Sequence, residues 1–217
     1  MPPDLLPLFP LPDHVLLPGV PAPFRIFEPR YCALVADLIR RPEDERWLAV
    51  PRLARGWQAD YQGSPAFCPV AAPARLVHVR DMSDGQFLIV VQGEGRVALS
   101  EVPSQRLYRI AHGAPLPDEP AELSATELAS AVDQLIVRVR LLAKRNGAAA
   151  EQIDQLVAGI GPSQALIERL AAVLITEPGM RQSYLECRTP DGRVTLFRHV
   201  VEGALGPGAT GWDFSRN

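Results

Sequence analysis

Lysine is almost missing from this 217-residue chain: among its 22 basic residues only Lys144 is a lysine. A phosphate-binding loop of the GxxxxGK[ST] type needs a lysine directly after glycine, where its ammonium and the loop amides hold phosphates. Lys144 follows Ala143 on a stretch of helical period, so the chain has no such loop. A Ser–Lys nucleophile pair has no other lysine to use, and Lys144 reads as part of a solvated helix face. Cysteine is scarce too. Cys32, Cys68 and Cys187 are odd in number, far apart and without a CxxC, which fits reduced thiols in a cytoplasmic protein. His14, His78, His112 and His199 share no ligand spacing with them or with each other, so no metal or other cofactor is expected. No apolar run approaches the ~18 residues that span a bilayer. The first basic residue is Arg25, behind several prolines, so neither a secretory signal nor a membrane partner is expected. A net charge of −3 leaves no global attraction to nucleic acid.

Proline, by contrast, is abundant at 22 residues, about twice its usual share, and it crowds the first half. Residues 6–19, LPLFPLPDHVLLPG, are too apolar for a loose tail and too rich in proline for a helix. Proline lacks the ladder donor and survives at strand starts, bulges and edges, so this stretch predicts an edge strand opening a β domain. Further strands are expected at 74–80, 87–91, 96–102 and 107–111, with a hairpin turn over 81–86 containing Ser83, Asp84 and Gly85. One helix interrupts at 29–40, with proline at its first position and Tyr31, Leu34, Val35, Leu38 and Ile39 on one stripe. Residues 51–66 read as a long exposed loop. After about residue 121 the period becomes helical. Ser124 and Glu127 form a capping box, and Leu128, Val132, Leu135, Val139 and Leu142 follow at helical spacing. Asn146 and Gly147 are expected to close that helix, with shorter ones at 148–158, 162–175 and 178–187 and a last one capped at Thr189. The predicted organisation is α+β: a β barrel subdomain over 1–118, a helical bundle over 119–203 and a tail over 204–217. Trp212 and Phe214 are expected to pack the tail back.

Two motifs place the chain beside a known family. Leu6 to Gly19 reads Leu-Pro-Leu-x-Pro-Leu and ends in Pro18-Gly19; Ile26, Phe27, Glu28, Arg30 and Tyr31 form a hydrophobic-Phe-Glu-x-Arg-Tyr element. Supporting them are Ala74-Arg75-Leu76, Asp84-Gly85, the Gly93-x-x-Arg96 end of an apolar strand, and Arg181, Gln182, Leu185, Glu186, Arg193 and Leu196 in the helical half. The sequence resembles the Lon N-terminal-domain family, specifically its stand-alone bacterial members, over about residues 5–203. The resemblance implies a PUA-like barrel followed by a helical bundle. It gives Pro18, Gly19, Glu28, Arg30, Arg75, Gly93 and Arg96 structural roles. One departure stands out: the family's Gly-Thr before the Ala-Arg strand is Ala71-Ala72-Pro73 here, and Pro73 puts local strand pairing in question.

Several other chemistries were weighed on the residues. Gly93-Glu-Gly-Arg-Val-Ala98 matches a GxGxxA pattern, yet a dinucleotide site needs a helix opening there and the sequence continues as strand, so a bulge or hairpin is expected. A Cys32–His78 nucleophile pair would make a small hydrolase; a buried thiol and a strand histidine is the plainer reading. Glu28 and Arg30 are expected to anchor the chain's entry to a helix rather than to act as acid and base. Arg138, Arg140, Lys144 and Arg145 form a basic cluster without interleaved aromatics for stacking, so RNA binding stays a minor alternative. The leading expectation, carried by the resemblance, is a protein without catalytic residues that binds unfolded or extended protein segments or a partner protein. Strand addition at a barrel edge is one mode. Phe24, Phe27, Tyr31, Trp47 and Trp57 are the candidate peptide-contacting side chains.

Overall fold

The structure, a computed structural model, describes residues 1–82, 84–145 and 164–206. Ser83, Asn146 and Gly147, the segment expected at 148–158, and Trp212 and Phe214 lie outside the described residues. The chain divides into two compact units between Pro117 and Asp118.

The first unit is an antiparallel sheet that closes on itself. Its strands are β1 (Leu5–Pro7), β2 (Pro21–Ile26), β3 (Trp47–Val50), β4 (Val70–Asp81), β5 (Phe87–Gly93), β6 (Val97–Val102) and β7 (Ile110–Pro115). The order is β1-β7-β6-β4-β5-β2, with β3 on the other side of β4. Single parallel bridges, Leu8 to Ala49 and Leu11 to Arg52, then join the opening segment to β3 and its continuation. The stretch expected to be an edge strand is therefore paired on both sides. Leu8 donates to Arg109 on one flank, and Phe9 donates to Ala49 on the other. Regular strand lasts only three residues because Pro7, Pro10 and Pro12 cannot donate to a ladder. Leu6, Leu8, Val15, Leu16 and Leu17 are all buried, so the segment is a seam that closes the ring and fills two cores.

Pro73 does not interrupt pairing. In β4 it lies opposite Ala49 of β3. Its carbonyl accepts from the Glu94 N–H at 2.7 Å on the opposite flank. A residue's N–H and C=O point the same way in a strand, so the missing donor falls where β4's neighbour changes from β6 (Val70, Ala71) to β5 (from Ala74). β2, which the sequence reading missed, forms the true free edge. The Gly93 N–H donates to Val20, which sets the ladder so that Ala22, Phe24 and Ile26 bond to β5. Pro21, Pro23 and Arg25 turn their backbone outward, and two of these three have no N–H to offer. Helix α1 (Pro29–Ile39) packs Tyr31, Leu34, Val35 and Leu38 into the larger core beneath β2, β4 and β5. The expected strand at 107–111 begins at Ile110 instead. The side chains before it are held away by partners described below.

The second unit contains α2 (Ala125–Arg145), α3 (Gln164–Leu174), α4 (Pro178–Glu186) and α5 (Pro190–Leu205). The capping box forms: Ser124 and Glu127 exchange hydrogen bonds at 2.6–3.3 Å. Thr189 caps α5 by accepting from the Gly192 N–H. Helix α5 packs against the other three. Arg193 lies wholly buried among them, bidentate to Asp118 at 2.9 and 2.5 Å and 3.4 Å from Glu168.

Candidate functional site

Five stretches of the first unit enclose a cleft of about 540 Å³. Its walls are the loop around Tyr61 to Pro65 and the segment Glu101 to Arg109; Leu8, Pro10, Arg30, Tyr31 and Leu53 border it as well. A second hollow of about 600 Å³ adjoins it, bordered by Phe27, Glu28, Pro29, Arg30, Tyr61, Gln62 and Leu107. Arg30, Tyr61, Gln62 and Leu107 belong to both.

Each wall is fastened by polar bonds. Glu28 occupies the residue before α1 but makes no cap with its side chain, so the expected anchoring of the helix entry takes another form. Its backbone carbonyl accepts from Tyr31 and Cys32. Its carboxylate instead accepts from the Tyr61 hydroxyl at 2.7 Å and from Arg30 at 2.8 and 3.0 Å, tying the loop to the helix start. Arg30 also donates to the Tyr61 carbonyl and lies 4.8 Å from the Tyr31 ring centroid and 5.0 Å from that of Tyr61. A guanidinium between two rings gains from both faces. The opposite wall is held at Asp37 of α1, which accepts from Tyr108 at 2.7 Å, from Arg40 and from Arg106. Arg109 is bidentate to Glu101 and donates to the Pro65 carbonyl at 2.7 Å, joining the two walls. These bonds explain why residues before Ile110 are not strand.

The titrating groups follow this geometry. Burial, with the negative charge of Glu28 beside it, pushes the Tyr31 hydroxyl up to about 12. Burial and the bond to Asp37 do the same for Tyr108, also to about 12. The Tyr108 hydrogen bond holds the Asp37 carboxyl below its ordinary value, helped by Arg106 and Arg40. The Arg109 hydrogen bond lowers Glu101 likewise. Both tyrosines stay protonated donors and both carboxylates stay charged at neutral pH.

The sequence-named residues separate clearly. Tyr31 and Arg30 line the cleft, and Phe27 stands 63% exposed at the mouth of the second hollow. Trp57 supports Tyr61 with its ring edge, 5.3 Å between centroids. Phe24 turns inward onto Phe9 and His14. Trp47 is buried in the smaller core, its indole N–H bonded to the Asp44 carbonyl. Pro18 and Gly19 make a turn in which Gly19 has φ +74° and donates to Gly93, whose own missing Cβ would meet the Leu17 carbonyl at 2.6 Å. Arg75 pairs with Glu94 at 2.8 Å; Arg96 is buried at the start of β6, its carbonyl accepting from Leu116. Gly93 and Gly95 thus mark a turn between strands, not the opening of a helix.

Tyr61, Asp37, Arg106, Leu107, Tyr108 and Arg109 were not singled out from sequence. The available signal is a tyrosine flanked by Arg106 and Arg109, on a stretch whose apolar residues also read as strand. The hydrolase pair does not assemble usefully. The Cys32 thiol donates to the Ile26 carbonyl and is pushed up by burial. His78 lines a different hollow beside a β4 bulge. In the basic cluster Arg138 pairs with Glu202 and Arg145 bonds the Leu205 carbonyl, so both are engaged within the bundle. Among the described residues no group of His, Cys, Asp and Glu is arranged to hold a metal, and no helix is long and apolar enough to cross a membrane.

Comparison with known proteins gives a consistent picture. The family described as the ATP-dependent protease La (LON) substrate-binding domain matches residues 5–201. Lon protease of Anaeromyxobacter dehalogenans is 28% identical over 179 residues, covering 82% of this chain and 19% of that protein. Lon protease of Rickettsia conorii is 24% identical over 204 residues, covering 92% and 26%. The chain therefore spans about a fifth to a quarter of these relatives. Among solved structures, the N-terminal domain of Mycobacterium avium complex Lon protease superposes with TM-score 0.68 at 13% identity, covering 91% of this chain and 98% of that one. The Lon N-terminal domain protein of Xanthomonas campestris gives 0.57 at 24% identity, covering 88% and 95%.

Proposed function

The chain belongs to the substrate-binding domain family of ATP-dependent protease La (Lon), and from that premise we propose that it is a non-enzymatic module that binds extended segments of protein chains in the tyrosine–arginine cleft. One observation carries the location. Two adjoining hollows meet at Arg30 and Tyr61; Leu107 stands 73% exposed where they meet and Phe27 63% exposed on the rim of the second. Covering each of these side chains is worth about 1.5–3 kcal/mol, and hollows of this size accept side chains whole. The polar fasteners hold both walls before any partner arrives, so little ordering cost remains to be met on binding.

The walls supply recognition and no chemistry. Ser104 accepts from the Arg106 N–H, and each wall carboxylate is engaged by an arginine or tyrosine. Among the described residues neither serine of the cleft, Ser64 or Ser104, has a general base at hydrogen-bonding distance from its hydroxyl, and the Tyr61 and Tyr108 hydroxyls serve to fasten the walls to Glu28 and Asp37. The sequence has no glycine–lysine phosphate loop, and Lys144 sits in α2. Strand addition at the free β2 edge is disfavoured by Pro21 and Pro23, which leaves side-chain capture as the mode. Cys32, Cys68 and Cys187 are not joined in a disulfide, which suits a reducing cytoplasm as the place of action.

The test is fluorescence anisotropy with labelled, reduced and carboxymethylated lactalbumin as the unfolded chain. Phe27→Asp with Leu107→Asp should weaken binding about tenfold or more, since two apolar contacts are lost and charge is buried. Unchanged affinity in a folded double variant would remove the cleft from the account.

A further inference from the structure

The hydrogen-bonding surface of the cleft is lopsided. The carboxylates of Glu28, Asp37 and Glu101 already accept from Tyr61 and Arg30, from Tyr108, Arg40 and Arg106, and from Arg109. Three backbone carbonyls of the walls accept as well. The carbonyl of Pro10 takes the Tyr31 hydroxyl, that of Tyr61 takes Arg30, and that of Pro65 takes Arg109. Donor capacity is not exhausted in the same way. Arg106 lines the cleft, is bonded to Asp37 through one terminal nitrogen, and its side chain remains 50% exposed. A guanidinium has five N–H donors in a planar fork suited to a carboxylate. Asp37 already shares two arginines, Arg40 and Arg106, so this corner carries one positive charge beyond balance. Leu107, next in sequence, places an exposed apolar side chain beside it.

Resting on the reading of the cleft as a protein-binding groove, we propose that it selects segments in which a carboxylate adjoins a large apolar side chain, with Arg106 taking the carboxylate and the Leu107–Phe27 border taking the apolar group. The complementarity is of charge and of donor to acceptor. A basic residue at the same place would meet Arg106 and find the three wall carboxylates already engaged by arginines and tyrosines. The carboxylate can come from an acidic side chain or from a chain terminus, and both present the same two oxygens.

The experiment measures anisotropy of the full chain with labelled peptides that share one leucine- and phenylalanine-containing core. One peptide carries internal Asp and Glu with an amidated end. A second carries Asn and Gln with a free terminal carboxylate. A third carries Asn and Gln with an amidated end, and a fourth has Lys in place of the acids. Either carboxylate-bearing peptide should bind about two- to fivefold tighter than the neutral one, the range of a partly exposed ion pair, and the lysine peptide should bind weakest. The preference should shrink with added salt and vanish in Arg106→Gln, whose melting temperature checks that the wall still folds. Which of the first two peptides gains identifies the source of the carboxylate. Equal or tighter binding of the neutral or lysine peptide overturns the selectivity while leaving the groove reading intact. Failure of all four peptides and of unfolded lactalbumin overturns the groove reading itself.

Discussion

Replacing Leu8 by alanine tests the claim that the proline-rich opening segment closes the sheet. Leu8 is wholly buried between β7 and β3, in the cluster that holds Leu6, Trp47, Val97 and Leu99. Its neighbours on both sides are backbone-bonded strands that cannot easily collapse into the space, so the full cavity cost applies, about 2–5 kcal/mol. A domain is stable by only ~5–15 kcal/mol, so the variant should lose a large part of the first unit's stability. Leu5→Ala is the control: Leu5 is in the same opening segment but 47% exposed, and a surface change of this kind stays within about 0.5 kcal/mol. Urea unfolding followed by the emission of Trp47, buried in the same cluster, reports the difference directly. Equal midpoints for Leu5→Ala and Leu8→Ala would refute the reasoning and return the segment to a dispensable arm.

Three further outcomes follow from the polar framework. Asp37 has its folded pKa below the ordinary 3.8, so its contribution is present above that value and is lost as pH falls through the folded one. Asp37→Asn should therefore lower stability by about 1–2 kcal/mol at neutral pH, and the gap in melting temperature from wild type should close only below pH ~4; a gap independent of pH would contradict the assignment. Arg193→Ala removes a wholly buried cation and breaks its ion pairs with Asp118 and Glu168, at a cost of about 3–5 kcal/mol read by circular dichroism of the full chain; a loss under about 1 kcal/mol would show that the ion cluster is incidental. Pro21→Thr with Pro23→Thr gives β2 two outward N–H groups, so sedimentation should show more self-association than in wild type, and an unchanged profile would mean the edge is protected by something else.

The fold was legible where one residue type has one physical use. The capping pair Ser124 and Glu127, the cap at Thr189 and the proline at the start of α1 each marked a boundary that the structure keeps. The apolar run ending at Gly93 was visible as strand for the same reason. Two strands were missed because their sequences argue against strand in isolation. Pro21 and Pro23 in β2 survive only because that strand is an edge, and β3 is four residues long, with every one buried. Pro73 looked disruptive because the switch of β4's partner from β6 to β5 is a property of topology, not of local sequence. The cleft was half legible. Glu28, Arg30 and Tyr31 stand in one motif, but Tyr61, which bonds Glu28 and Arg30, and Arg106 and Tyr108, which bond Asp37, come from distant segments whose residues read as ordinary loop or strand. No periodicity marks a residue whose role is to bond something 30 to 70 positions away, as Tyr61 and Tyr108 do.

On the proposed reading the cleft, and not an edge or a helix face, receives protein segments. Backbone hydrogen exchange of the full chain, with and without saturating unfolded lactalbumin, addresses it residue by residue. Protection should appear in residues 57–65 and 101–109 and at the start of α1, with β2 and α2 unchanged. Protection confined to β2 or to α2, or none at a concentration where anisotropy shows binding, would contradict the account.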